Sequence, residues 1–169
     1  MPTSRIHINP DNIMYRKGVG LMILNGPKKV WVGQRQDTGN LIGPHTWQMP
    51  QGGIDGTETP WQAALREMKE EIGTINVRPV TESRDWISYD FPEELHARLW
   101  GGRFFGQTQK WFLVEFLGHD TDININTRHP EFIDWQWVDA RQLPDLIVPF
   151  KRDLYLKVLE EFKDYLPIG

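Results

Sequence analysis

The chain has 169 residues, of which 39% are hydrophobic and 25% charged, with a formal net charge of −4 and no cysteine. That length suits one domain with a core of its own, and the acidic balance excludes a general nucleic-acid binder, leaving room only for a local basic pocket. The missing cysteines exclude disulfides, thiolate metal sites and a cysteine nucleophile, and the longest early apolar run, GVGLMIL, is too short for a bilayer span or a signal segment, so a soluble, cytoplasmic protein without a membrane partner is expected.

Residues 1–14 lack periodicity and read as a loose lead-in. VGLMIL (19–24) and VWVGQR (30–35) flank NGPKK and predict two strands joined by a turn. Residues 36–46 are polar and contain glycine, which predicts a loop, and WQMP is a short extended piece before the glycines. The helix that follows has its signals in order. Thr59 caps it, Pro60 suits the first turn, Gln62 completes a Thr-x-x-Gln box, and Gly73 ends it. Trp61, Ala64, Leu65, Met68 and Ile72 form one stripe that should bury against a sheet. VRPVTES and DWISYDF predict strands. RLWGGRFFGQTQKWFLVEFL predicts one or two strands with a glycine break, and FIDWQWV alternates as a strand. The segment FKRDLYLKVLEEFKDYL, with Phe150, Leu154, Val158, Phe162 and Tyr165 spaced along it, predicts a closing helix. No repeat or linker divides the chain. A single α+β domain over 1–169 is expected, with a mixed sheet and helices on its faces. The eight tryptophans are more simply core than stacking platforms.

Glu67, Glu70 and Glu71 stand at i, i+3 and i+4, so their side chains leave one helical face. Ala63, one turn earlier, leaves space above the backbone of that face. Like charges this close weaken a helix by a few tenths of a kcal/mol per pair. A hard divalent cation offsets the repulsion, because Mg²⁺ prefers carboxylate, water and phosphate oxygens. Most such strings are solvated acidic faces. Three features favour the metal here: Arg66 can orient a carboxylate through paired hydrogen bonds, GGIDG allows close backbone approach, and Glu58 stands just ahead of the cap.

Gly52, five residues, Glu58, seven residues, then Arg66, Glu67, Met68, one residue, Glu70, Glu71, one residue and Gly73 resembles the Nudix box. Thr74 departs from it, where the box usually has a large aliphatic residue. YRKGVG, WQMPQGGI, GQTQKWFL, PEFIDWQWV and VPFKRD resemble the RNA pyrophosphohydrolase branch of the Nudix hydrolases, which includes dinucleoside polyphosphate hydrolases. The resemblance implies an α/β/α sandwich. It also implies Mg²⁺, with Mn²⁺ as substitute, bound by Glu67, Glu70, Glu71 and the Gly52 carbonyl. Arg66 would orient the glutamates, Glu58 would lock the loop, and Glu131 in HPEF would join the metal from outside the helix. A bland reading of Glu131 is a strand-entry residue.

The expected reaction is hydrolysis of a polyphosphate. The cation neutralises phosphate oxygens and acidifies a water, and Glu67 or Glu71 takes the proton. Arg16 and Arg35 are expected to meet phosphates, and the resemblance puts Thr46, Gln48 and Gln107 in the pocket. Tyr89 and Phe150 are candidates for base stacking, Phe150 being nearly as well explained as helix core, and Lys151 for a phosphate or base contact. The expected substrates are 5′-triphosphorylated RNA or dinucleoside polyphosphates, not DNA, acted on by a monomer. A non-catalytic nucleotide sensor is the reading from a different class, and the complete carboxylate set counts against it. DTDININTRHPE imitates a calcium loop at Asp120, Asp122, Asn124 and Glu131, but Ile125 sits where that loop needs glycine. The five histidines have no zinc-type spacing.

Overall fold

The computed structural model describes residues 15–35, 46–93 and 104–167. Strand β1 (Tyr15–Leu24) is central. It runs parallel to β7 (Gly106–Phe116) over its whole length, from Tyr15 opposite Gly106 to Leu24 opposite Glu115. Around this pair lie β2 (Val30–Arg35), β3 (Trp47–Gln48), β4 (Gln51–Gly53), β5 (Val77–Glu82), β6 (Ile87–Asp90) and β8 (Phe132–Val138). All their pairings are antiparallel: β2 and β4 on β1, β5 and β6 on β7, β8 and β3 on β2. The sheet is therefore mixed.

Its central strands are buried on both faces, which is why they read as continuous apolar runs rather than strict alternation. Val19, Leu21 and Ile23 of β1, with Phe112 and Val114 of β7, face helix α1 (Pro60–Ile72). Met22 and Leu24, with Trp111 and Leu113, face the other way. There they meet a short helix α2 (Leu143–Leu146) and the longer α3 (Arg152–Phe162), through Leu143, Leu154, Tyr155, Val158 and Phe162. The result is an α+β sandwich with helices on both sides of a mixed sheet.

Helix α1 has the predicted ends. Thr59 Oγ1 accepts from the Gln62 N–H at 3.1 Å, and Gln62 Oε1 accepts from the Thr59 N–H at 3.0 Å. Gly73 takes a left-handed conformation with φ 79°, and its N–H closes on the Lys69 carbonyl at 3.0 Å. A side chain with a Cβ is strained there, which is the usual reason for glycine at this position.

Four expectations change. The glycines before the helix are not all loop, since Gln51–Gly53 forms β4 and pairs with Gly18–Gly20. Ala63 does not leave a space, because it is fully buried between α1 and the sheet with Ala64 and Met68. Leu65 is only half-buried, whereas Glu71 is buried. The closing helix is shorter than predicted. Residues Pro149–Lys151 and Lys163–Tyr165 form 3₁₀ turns at its two ends, and Tyr165 is exposed. Of the glycine-broken segment, Gly106 onward is one strand, while 94–103 lie outside the described residues, as do 1–14 and most of the 36–46 loop.

Candidate active site

The site begins with Arg66. Its guanidinium donates from Nε to Glu58 Oε2 at 2.7 Å, from Nη2 to Glu58 Oε1 at 3.0 Å and to the Gly53 carbonyl at 2.8 Å. From Nη1 it donates to Glu67 Oε2 at 2.8 Å and Glu70 Oε2 at 3.0 Å. One planar cation thus ties β4, the loop after it and α1 together, as the five-donor fork of arginine permits. Glu58 also accepts from the Asp55 N–H at 2.8 Å, so the loop folds back on the helix. The Arg66 hydrogen bonds hold the Glu58 carboxyl below its ordinary range.

The glutamates on α1 are not equivalent. Glu70 is exposed, Glu67 is largely covered, and Glu71 is buried at 3% exposure. Desolvation pushes Glu67 up to about 7, against the Arg66 hydrogen bond that pulls it down. Burial also raises Glu71 well above the usual range, and the charges of Glu67 and Glu131 raise it further. The Gln51 N–H and Arg35 oppose that rise. Glu131, exposed just before β8, therefore acts on both buried carboxylates through space. Gly52 packs so closely under Glu67 that any Cβ would enter its carboxylate.

No three His, Cys, Asp or Glu side chains among the described residues are gathered at metal-ligating distances. Arg66 holds an oxygen of Glu67 and one of Glu70. The residues nevertheless fit a cation. Glu71 Oε2 is buried and without a hydrogen-bond partner among the described residues, and such an acceptor is costly unless something neutralises it. A buried carboxylate raised further by the charges of Glu67 and Glu131 needs a positive charge, and oxygen donors suit Mg²⁺ or Mn²⁺.

The predicted substrate residues do not all lie together. Arg35 donates from Nη1 to Gln48 Oε1 at 3.3 Å, and its backbone N–H bonds the Thr46 carbonyl at 3.0 Å. Gln48 is buried. The Arg16 guanidinium lies over Gly53, where a side chain would collide with it. The expectation that Tyr89 offers a free stacking face meets a different arrangement. Tyr89 is buried, edge-on to Phe91 at 5.8 Å, tilted against Phe150 at 6.2 Å, with Lys151 Nζ 5.3 Å from its ring centroid. Its hydroxyl donates to Gln107 Oε1 at 3.1 Å. Phe150 stays half-exposed beside it, in a 3₁₀ turn rather than in α3. Lys151 is buried, and desolvation with help from Arg35 lowers its pKa to about 7.

Sequence reasoning missed Gln109 and Gln51. Gln109 Nε2 donates to both Gln107 Oε1 and Gln51 Oε1 at 2.9 Å, and its Oε1 accepts from Trp111 Nε1 at 3.0 Å. The signal was present in GQTQKW, since Gln107, Gln109 and Trp111 alternate and must share one face of β7. Two amides on a core-facing strand need partners. Thr74 follows the helix, its Oγ1 accepting from the Asn76 N–H at 3.2 Å.

A sandwich that carries buried, arginine-braced carboxylates on α1 beside a pocket of arginine, lysine and glutamine defines a hydrolase of phosphoanhydride bonds. The NUDIX domain model matches residues 14–158, and the chain belongs to the Nudix hydrolase family, whose members use divalent metals. It is 54% identical over 158 residues to a Rhodospirillum rubrum protein named RNA pyrophosphohydrolase, covering 94% of this chain and 93% of that one. A protein of the same name from Orientia tsutsugamushi (strain Boryong) is 50% identical, over 94% and 96% of the two chains. A C. elegans Ap4A hydrolase structure shares the fold with TM-score 0.63 at 22% identity, covering 89% of this chain and 96% of that one. The E. coli dihydroneopterin triphosphate pyrophosphohydrolase gives TM-score 0.63 at 20% identity, with 86% and 96% covered. No helix among the described residues is long and apolar enough to cross a membrane.

Proposed function

We propose that the protein is a Mg²⁺-dependent RNA pyrophosphohydrolase that removes pyrophosphate from the 5′-triphosphate end of RNA, with Mn²⁺ able to substitute. The observation that carries this reading is where the unsatisfied atoms fall. The buried side-chain polar atoms lacking a partner among the described residues are Trp31 Nε1, Arg35 Nε, Thr46 Oγ1, Glu71 Oε2 and Thr127 Oγ1. All but the first belong to residues at or beside the site, and they include donors and an acceptor. A cation together with a polyphosphate satisfies both kinds at once. The relatives' names agree with this substrate.

Glu67, Glu70, Glu71 and Glu131 would hold the cation, with the Gly52 carbonyl beside them. When bound, it neutralises phosphate oxygens and lowers the pKa of a coordinated water. Arg66 keeps Glu67 and Glu70 oriented, and Glu58 keeps the loop closed on Arg66. Glu67 or Glu71 accepts the proton of the attacking water, and a P–O–P bridge breaks. Arg16, Arg35 and Lys151 attract the phosphates, Thr46, Gln48 and Gln107 line the pocket, and the half-exposed Phe150, braced by Tyr89, is the face for a base. The work falls to one domain acting in the cytoplasm as a monomer.

The test is pyrophosphate release from triphosphorylated RNA with Mg²⁺, and again with EDTA, run beside ATP release from diadenosine tetraphosphate. Mg²⁺-dependent pyrophosphate release supports the proposal. Turnover of the dinucleotide alone would transfer the site to dinucleoside polyphosphates, and activity undiminished in EDTA would remove the metal from it. Glu131→Gln decides that residue's part: a metal ligand raises the Mg²⁺ needed for half activity, whereas a strand-entry residue leaves the titration unchanged.

A further inference from the structure

The cleft that holds Glu67, Glu71 and Glu131 has a volume of about 610 Å³ and a second wall of opposite character. That wall is made by Lys69 of α1 and by Thr127, Arg128 and His129 on the loop before β8. Arg128 makes no ion pair or hydrogen bond among the described residues, although four glutamates line the same cleft. Thr127 Oγ1 is buried with no partner among the described residues. A cation left unpaired beside carboxylates, next to an orphaned hydroxyl, is arranged for something other than those carboxylates. The candidate base residues Tyr89 and Phe150 line a separate hollow with Ser88 and Lys157. The basic wall is therefore not part of the hollow that holds the candidate base residues.

We propose that Thr127, Arg128, His129 and Lys69 form a subsite for the outermost phosphate of the substrate, the outer one of the pair that departs as pyrophosphate. This rests on the pyrophosphohydrolase reading of the same cleft. When the P–O bridge breaks, the electron pair stays with the leaving phosphate oxygen, and its negative charge grows. A guanidinium with free donors holds the outer, terminal phosphate of that leaving group with paired hydrogen bonds, and a threonine hydroxyl donates a third. Lys69 and His129 add donors at the rim. The arrangement makes the chain sensitive to the number of phosphates: a triphosphate end reaches Arg128, whereas a diphosphate end stops one phosphate short.

The experiment compares wild type, Arg128→Ala and Thr127→Val on RNAs of one sequence ending in tri- or diphosphate, under saturating Mg²⁺. It also measures inorganic pyrophosphate binding by calorimetry. Arg128→Ala should raise KM about tenfold on the triphosphate end and weaken pyrophosphate binding by the same factor, leaving the diphosphate end within about twofold. Thr127→Val should do the same to a smaller degree. Arg128 is exposed, so an unchanged thermal midpoint is expected and certifies the fold. An equal loss on both ends, or no loss and unchanged pyrophosphate binding, would overturn the subsite. A wild type that binds pyrophosphate through Arg128 yet releases none from RNA would instead overturn the RNA reading.

Discussion

At the α1 end of the cleft one cation braces the loop and the helix: Arg66 reaches Glu58, Glu67, Glu70 and the Gly53 carbonyl, all within 3.0 Å. At the Tyr89 end, among the described residues, Lys151 is buried over an aromatic ring with no carboxylate in hydrogen-bond contact, and Arg35 Nε has no partner. The first end is braced before any ligand arrives, and the second carries unpaired donors. The difference separates two tasks. Metal-binding carboxylates must be held apart from one another at fixed positions, which needs a rigid counter-ion. A site for an anionic, interchangeable nucleotide needs positive charge that is not already neutralised, and its desolvation is a standing cost.

The largest expected effect breaks the braced end. Glu71→Gln keeps the shape of a buried side chain but removes its charge. Pyrophosphate release should fall at least about a hundredfold, the scale of losing a metal-catalysis group. The metal-free thermal midpoint should not fall, because the amide ends the repulsion from Glu67 and Glu131. Near-normal turnover, or a variant that unfolds, would remove Glu71 from the metal site.

The next effect tests the cost of the unbraced end. The groups acting on Lys151 are Arg35, Glu71 and Glu131, with the Tyr89 ring beneath it. Its folded pKa is about 7, below the ordinary lysine value of 10.5. Between these values the unfolded chain binds the proton and the folded one does not, so stability rises with pH across that window. Lys151→Met removes the titration. The variant should be more stable than wild type at pH 7, by an amount on the order of a few kcal/mol that shrinks as pH approaches 10. Activity should drop in the same variant. Parallel stability curves for the two proteins over pH 7 to 10 would contradict the buried cation.

The two ends also differed in how far sequence could read them. The box from Gly52 to Gly73 is local, so spacing alone put Glu67, Glu70 and Glu71 on one face and gave the helix both its ends. What spacing could not supply was burial. Ala63 and Glu71 are covered because the helix lies close over β4 and β1, a long-range fact. The Gln51–Gln109–Gln107–Tyr89 chain is assembled from three strands, and it requires β7 to lie parallel to β1 in one register. Tyr89 resembled a surface aromatic for the same reason: α3 and the 3₁₀ turn at Phe150 cover it from a distant part of the chain.

Phe150 sharpens that point. If it stacks on a base, Phe150→Ala should raise KM by the equivalent of about 1–3 kcal/mol with kcat little changed. As a core residue it would lower the thermal midpoint and leave KM alone. Its half exposure and its contact with buried Tyr89 favour an effect on KM with a small loss of stability. RNAs with an unpaired 5′ end should feel the change more than base-paired ends, which cannot offer a free base and should react poorly even with wild type.

The smallest expected effect lies in the helix that carries the braced end, at a residue remote from chemistry. Thr59 closes α1 by the reciprocal bonds with Gln62, and both are exposed. Thr59→Ala removes one side-chain acceptor and leaves the Gln62 N–H to water, at a cost of about 1 kcal/mol. Arg66 sits two turns further along and is tied to Glu58 and the Gly53 carbonyl independently of the cap. Pyrophosphate release at saturating Mg²⁺ should therefore stay within about twofold of wild type, while the metal-free thermal midpoint falls by a few degrees. Mg²⁺ binds only the folded site, so it should raise the midpoint of wild type and variant by similar amounts and leave their difference intact. If Thr59→Ala instead weakened Mg²⁺ binding strongly, the Arg66 brace would not be holding Glu67 and Glu70 on its own, and the rigidity assigned to this end of the cleft would belong to the helix cap.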